Sequence, residues 1–417
     1  MFTLLIRTIL FSLCLKSFIV SGNEIVTMPF DPVVQHFAVN TDISVDVYVP
    51  PSAAKGQRFP TLYVMDSQHY FYSALGYQRA LTKGISLVDV SPQFIVIGIN
   101  TSQLSKRKTR GEYLNWRSDE FIAMLSKEII PFVDAKFPTS KRRLYFGWQS
   151  AAMIGLRLFN SHPELFSDYL LASAQYVSPK ALKDTEKTLQ AKSLNHNFYL
   201  VIGEAETHTL AGHRSLVTLF EKNKQQGIKW HFRVSDRYSG LYDHHTSPVE
   251  ALSDGLAWVF EDYPDIVFNS LTEVASFGGV DAIKDYYRTR AKRYGVSDKV
   301  ATQTKFSLFR HAVAADDLKQ FNEFEQALGH YQVIGWHHFF GRFFIKHQRF
   351  KRAKNVYQSG LHQRPNDHRY WSGLAVANVG LKRFELAMSH YHKAIMYAPN
   401  NVKKLYQKEL DVLTENN

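Results

Sequence analysis

The sequence predicts an α/β unit built on a mostly parallel sheet covered by helices, followed by an all-α tail. Three observations predict it. Apolar strands at 61–65, 94–97 and 198–202 run without polar interruption, as strands buried on both faces do. The stretches between them have helical length and pattern, and strands alternating with helices give a parallel sheet. Beyond residue 263 strand signals stop, and residues 334–366 and 367–400 align on each other at a spacing of 34 residues.

Residues 33–49 alternate, with Ile43, Val45, Val47 and Val49 on one face, an edge hairpin before Pro50-Pro51. Residues 59–66 form a buried strand ending at Asp66-Ser67, and 93–100 form another. Phe121, Leu125, Ile129, Phe132 and Val133 recur at helical spacing and predict a helix over 120–137. It feeds a strand at 144–146. Further strands are expected at 166–173, 198–202 and 230–234, and a helix over 251–260 closes the unit.

Between the strand at 144–146 and an apolar helix start at 153–159 lies Gly147-Trp148-Gln149-Ser150-Ala151-Ala152. A tight strand-to-helix turn of the nucleophile-elbow kind lifts one side chain above the sheet. Small residues are needed two before and two after it, because strand and helix backbones crowd there. Gly147 and Ala151 meet that need only when the raised residue is Gln149. A frame centred on Ser150 puts Trp148 where a glycine is wanted. The turn is thus a hydrolase turn with its reactive serine missing.

Five landmarks in order now make a pattern: Phe59-Pro60-Thr61-Leu62-Tyr63-Val64-Met65-Asp66; Glu128-Ile129-Ile130-Pro131 with Lys136-Phe137-Pro138; the elbow; His162-Pro163-Glu164-Leu165-Phe166; and Asp243-His244 followed by Asp254-Gly255-Leu256. Over residues 37–263 the chain resembles the putative-esterase family of α/β-hydrolases, which includes enterochelin esterases and esterase D. The resemblance implies an α/β-hydrolase sheet and ester hydrolysis by a serine, a histidine base and an acid, without a cofactor. It implies Gln149 at the nucleophile position, His244 as the base in preference to His245, and Glu206 as the acid with Glu204 as rival. Ser67, Ser150 and Trp148 would surround the oxyanion position. Four departures gather there: Gln149 for serine, Ala151-Ala152 for a glycine pair, Ser67 for glycine, and Gly111 where an Arg-Asp pair is usual.

An amide nitrogen is a poor nucleophile that no base activates at neutral pH, although it hydrogen-bonds well. Two functions follow. One is a catalytically degenerate esterase that keeps a pocket for a small-molecule ester or ester-like ligand. The other is an active carboxylic-ester hydrolase that uses Ser150 with His244.

In the tail, His337/Trp371, Phe340/Leu374, Gly341/Ala375, Ala353/Ala387, Tyr357/Tyr391, Gly360/Ala394 and Pro365/Pro399 pair up. They resemble the tetratricopeptide pattern, in which small residues let two helices cross closely. The resemblance implies a groove carrying His338, Arg342, Trp371, Ser372 and Asn378, open to a protein partner. Two repeats fall short of the about three that a stable stack needs, so the helical stretch 280–328 is expected to cap or dock them. The expected organisation is a signal peptide at 1–22, a hydrolase domain at 23–265, a helical linker at 266–333, two repeats at 334–400 and a terminal helix at 401–417.

The net charge of +12 favours anionic surfaces in general. Lys106-Arg107-Lys108-Thr109-Arg110 reads as a solvated loop, and no nucleic-acid partner is expected. Neither His208/His213 nor His337/His338 has the spacing that sets two imidazoles on one helix face, so no metal is expected. Arg7, the apolar run 8–20 (with Lys16 inside it) and Ser21-Gly22 form a secretory signal. Its removal would take the only cysteine, Cys14, and leave a periplasmic or secreted chain without a transmembrane span. N-terminal sequencing of protein from its native host is expected to start near Asn23; a chain beginning at Met1 and held in the membrane would refute this.

Overall fold

The computed structural model describes residues 33–39, 44–50, 57–82, 90–103, 110–191, 194–224, 227–237, 242–330 and 335–415. The expected signal at 1–22 with Cys14, the basic residues 106–109 and the repeat start at 334 lie outside them.

Strand apolarity dictates the sheet. Its eight strands are β1 (Val34–Ala38), β2 (Ser44–Tyr48), β3 (Phe59–Met65), β4 (Ile95–Ile99), β5 (Thr139–Trp148), β6 (Asp168–Ala172), β7 (His196–Gly203) and β8 (Ile228–Ser235). They lie in the order β1-β2-β4-β3-β5-β6-β7-β8. β1 and β2 form an antiparallel hairpin whose β2 also runs antiparallel to β4, and the other pairings are parallel. Successive side chains point to opposite faces, and both faces are covered. Leu62, Val64, Leu144, Phe146, Leu170 and Val201 pack beneath α1 (Ser67–Thr82) and the closing helix. Tyr63, Met65, Tyr145, Tyr169 and Leu171 face the other helices.

That second layer holds α2 (Ser118–Met124), α3 (Ile130–Lys136), α4 (Ser150–Ser161), α5 (Pro179–Ala191) and α6 (Thr207–Lys222). The single helix expected over 120–137 is interrupted between α2 and α3 by a π-helical turn, Leu125–Ile129. Pro131 explains the break: it has no N–H for the Lys127 carbonyl, and a wider turn makes room for its ring. The closing helix α7 (Tyr242–Val259) begins nine residues earlier than the sequence pattern indicated, with Pro248 inside it.

An all-helical region follows: α8 (Leu271–Phe277), α9 (Gly279–Tyr294), α10 (Thr302–Ala314), α11 (Leu318–Leu328), α12 (His337–Lys346), α13 (Phe350–Gln363), α14 (His368–Gly380), α15 (Phe384–Tyr397) and α16 (Asn400–Glu415). Phe321 of α11 meets Phe340, Phe343 and Phe344 of α12 at ring distances of 6.1, 5.5 and 5.2 Å. The pair α10/α11 therefore continues into the helices from 337 onwards. Tyr357 sits between two glycines: a Cβ on Gly341 or Gly373 would stand 2.3 or 2.1 Å from its ring. Among the described residues no helix is long and apolar enough to cross a membrane.

Arg142 ties the two parts together. Near the start of β5, at the far end from Gln149, it grips Asp168 through two bonds of 2.9 Å and donates to the Tyr294 hydroxyl and the Val259 carbonyl at 2.6 and 3.0 Å. Burial opposes ionisation of Asp168, but Arg142, Asn197 and Ser167 outweigh it and hold its pKa below the usual range. A depressed carboxyl stabilises the fold above its unfolded pKa of about 3.9, and that stability is lost as pH falls through the folded value. Arg142→Ala, which leaves Asp168 buried and uncompensated, is expected to cost about 3–5 kcal/mol in urea unfolding. Tyr294→Phe is expected to cost about 1 kcal/mol.

Candidate active site

The turn after β5 is closed by sterics. A Cβ on Gly147 would lie 2.6 Å from the Ala151 carbonyl carbon and oxygen. The Tyr145 hydroxyl donates to that same oxygen at 2.7 Å. Chain direction is then reversed at one residue, Gln149, which adopts φ 55° and ψ −118°. Such a backbone costs a non-glycine residue about 1–3 kcal/mol. The Gln149 N–H donates to the Ala172 carbonyl of β6 at 3.0 Å, and its carbonyl accepts from Met153 in α4 at 3.2 Å.

Raised in this way, the Gln149 side chain reaches His244. Its Nε2 stands 2.6 Å from His244 Nε2, and His244 Nδ1 stands 2.8 Å from Glu206 Oε2. The other Glu206 oxygen accepts from the Ser173 hydroxyl at 2.5 Å and the Gly203 N–H at 2.9 Å. Burial opposes ionisation of Glu206, yet the bonds from His244, Ser173 and Gly203 prevail and hold its pKa below the usual value. An ionised carboxylate only accepts, so Nδ1 carries the imidazole proton and Nε2 of the neutral ring accepts from the Gln149 amide. The three groups form one saturated line.

Pro248 helps set His244. A proline inside a helix cannot bond the carbonyl four residues back, here that of His244. That carbonyl instead accepts from Trp148 Nε1 and the Ser247 hydroxyl, each at 3.1 Å. Trp148 therefore ties the first turn of α7 to the elbow, and its ring lies 5.2 Å from the His244 ring.

The remaining sequence-derived residues are distributed as follows. Ser150 is 3% exposed, and its hydroxyl donates to Gln175 Oε1 at 2.6 Å. Glu204 is exposed and His245 stands edge-on to His244 on the outside. Ser67 is 4% exposed and packs close to Gly98. Arg110 is not part of a solvated loop either. It grips Asp66 at 2.7 and 2.6 Å and donates to the Trp148 carbonyl at 3.2 Å. In the tail, His338 and Arg342 line a cleft of about 760 Å³ with Trp336, Phe343 and Lys346. Trp371 donates to the Pro365 carbonyl at 2.7 Å. Asn378 does not face a groove: it is 2% exposed, with its amide on the Leu374 carbonyl. Its position one turn beyond Leu374 turns it inward.

Sequence reasoning missed Arg110, Ser173 and Pro248 as parts of the site. Only Pro248 carried a readable signal, because a proline in a helical stretch always frees a carbonyl.

The family description "Putative esterase" matches residues 37–258, more than half of the chain. The chain belongs to this esterase family, with an α/β-hydrolase fold followed by helices. Among solved structures, an IroE-like serine hydrolase from Shewanella oneidensis matches at TM-score 0.52 and 14% identity, covering 71% of this chain and 98% of its own. The enterobactin esterase FES from Shigella flexneri matches at TM-score 0.41 and 16% identity, over 56% of this chain and 61% of its own. A search of curated proteins found no match. At these identities the structural likeness is one of fold.

The crowding at Gly147 makes a direct test of the turn. Gly147→Ala is expected to destabilise the chain by about 1–3 kcal/mol, as overpacking does. Gly76→Ala serves as control, because a Cβ there meets nothing within 4 Å.

Proposed function

We propose that this is a catalytically degenerate esterase, in which Gln149 stands at the nucleophile position and the domain holds an ester-like small molecule without cleaving it. One observation carries the reading: the side chain on the strained elbow residue, 2.6 Å from His244 Nε2, is an amide. The rest of the apparatus is of the kind that orients a base, with Glu206 fixing the tautomer of His244. No proton can usefully leave the amide, so the base has nothing to activate. The helical tail fits a tetratricopeptide-like array that presents the domain to a protein partner in an exported setting.

The competing reading, an active hydrolase using Ser150, needs that hydroxyl to leave Gln175 and turn to His244. Ester turnover separates the two. Wild-type protein is expected to cleave short p-nitrophenyl esters at a rate indistinguishable from that of Ser150→Ala. Loss of a triad serine costs about 10⁶ in turnover, so Gln149→Ser should raise the rate at least about tenfold, even with an oxyanion hole weakened by 10²–10³. Adding His244→Ala should abolish the gain. Wild-type turnover that disappears in Ser150→Ala would refute the proposal.

A further inference from the structure

The last helix carries two apolar stripes, and only one is packed. Tyr406, Leu410 and Leu413 of α16 are buried in a cluster shared with Ala387, Tyr391 and Ala394 of α15. On the outer side Leu405 and Val412 remain 55% and 51% exposed. They line a groove of about 680 Å³ with Val379, Phe384 and Tyr391.

The charges beside this stripe are sorted along the helix. Lys404, Lys408, Asp411 and Glu415 follow at i, i+4, i+7 and i+11, one row on one side of the helix. Both lysines precede both acids along the helix. None of the four has an ion-pair partner among the described residues.

We infer that α16 is a self-association surface, on which α16 of a second copy of this chain docks antiparallel about a two-fold axis close to Glu409. That axis sets Leu405 of each copy on Val412 of the other. It also brings Lys404 of each near Glu415 of the other and Lys408 near Asp411, as an isologous interface requires. A parallel pairing would set lysine on lysine. An anionic membrane or a nucleic acid would call for a row of one sign, and this row is half acidic. The net charge of +12 opposes association of two copies, so the complementary rows have that repulsion to overcome. A helix of 16 residues is about 24 Å long. So short a contact belongs with the weak, reversible associations rather than with obligate interfaces.

Sedimentation velocity on the full chain, from about 1 to 100 µM, is expected to show a monomer–dimer equilibrium. Leu405→Glu, at an exposed position that leaves the fold intact, should weaken it more than tenfold. Lys404→Glu with Lys408→Glu makes the row wholly acidic, and Asp411→Lys with Glu415→Lys makes it wholly basic. Each double variant should be monomeric alone, and a mixture of the two should dimerise. In a Cys14→Ser background, Leu405→Cys and Val412→Cys chains should cross-link when mixed, while Leu405→Cys alone should not. A wild-type monomer throughout the range, a dimer indifferent to these charge changes, or cross-linking by Leu405→Cys alone would overturn the inference. So would wild-type binding to phosphatidylglycerol vesicles that Leu405→Glu abolishes without any dimer being present.

Discussion

The structure around the site depends on one close approach, the Gly147 backbone against the Ala151 carbonyl. Contact there leaves no room for a Cβ, so β5 must turn into α4 at a single residue. That residue takes the left-handed backbone whatever its side chain, and the side chain is thereby raised above the ends of the strands. The surroundings fix the turn on both sides. Tyr145, fully buried on β5, bonds the Ala151 carbonyl, and β6 receives the Gln149 N–H. The strain of about 1–3 kcal/mol at Gln149 is held by the packing at Gly147 together with the bonds of Gln149 to Ala172 and Met153.

On the proposed reading, an amide in this place changes what the line of side chains can do. A hydroxyl would hand its proton to His244 as it attacked. The amide donates to His244 Nε2 and keeps its proton, so no proton moves along the line and Glu206 stays an ionised carboxylate. The depressed pKa of Glu206 belongs to this state, because three donors converge on its carboxylate. Ser173, itself at φ 43°, supplies one of them and reaches Ser247 as well. The acid is thus built into the floor of the site.

Much of this was legible in the residues. The parallel sheet followed from unbroken apolar strands, and the elbow frame from two small residues four apart. What escaped the sequence depends on contacts between distant segments. Arg110 sits among basic neighbours that suggest solvent, yet Asp66, forty-four residues away, draws it in. Asn378 occupies a helix position that the repeat pattern assigns to a groove, and only its bond to the Leu374 carbonyl shows that it turns inward. The early start of α7 was hidden by Pro248, which reads as a helix boundary while its freed carbonyl is taken by Trp148. The pairing of Arg142 with Tyr294 joins two regions 152 residues apart, and no local pattern announces it.

The central claim of the proposed reading is that the site offers His244 no hydroxyl to activate. Intact-mass measurement of the wild-type chain after exposure to a fluorophosphonate tests it most directly, because the reagent forms a stable adduct only with an activated hydroxyl. The account predicts an unchanged mass. A single adduct that peptide mapping assigns to Ser150, and that is lost in His244→Ala, would contradict it.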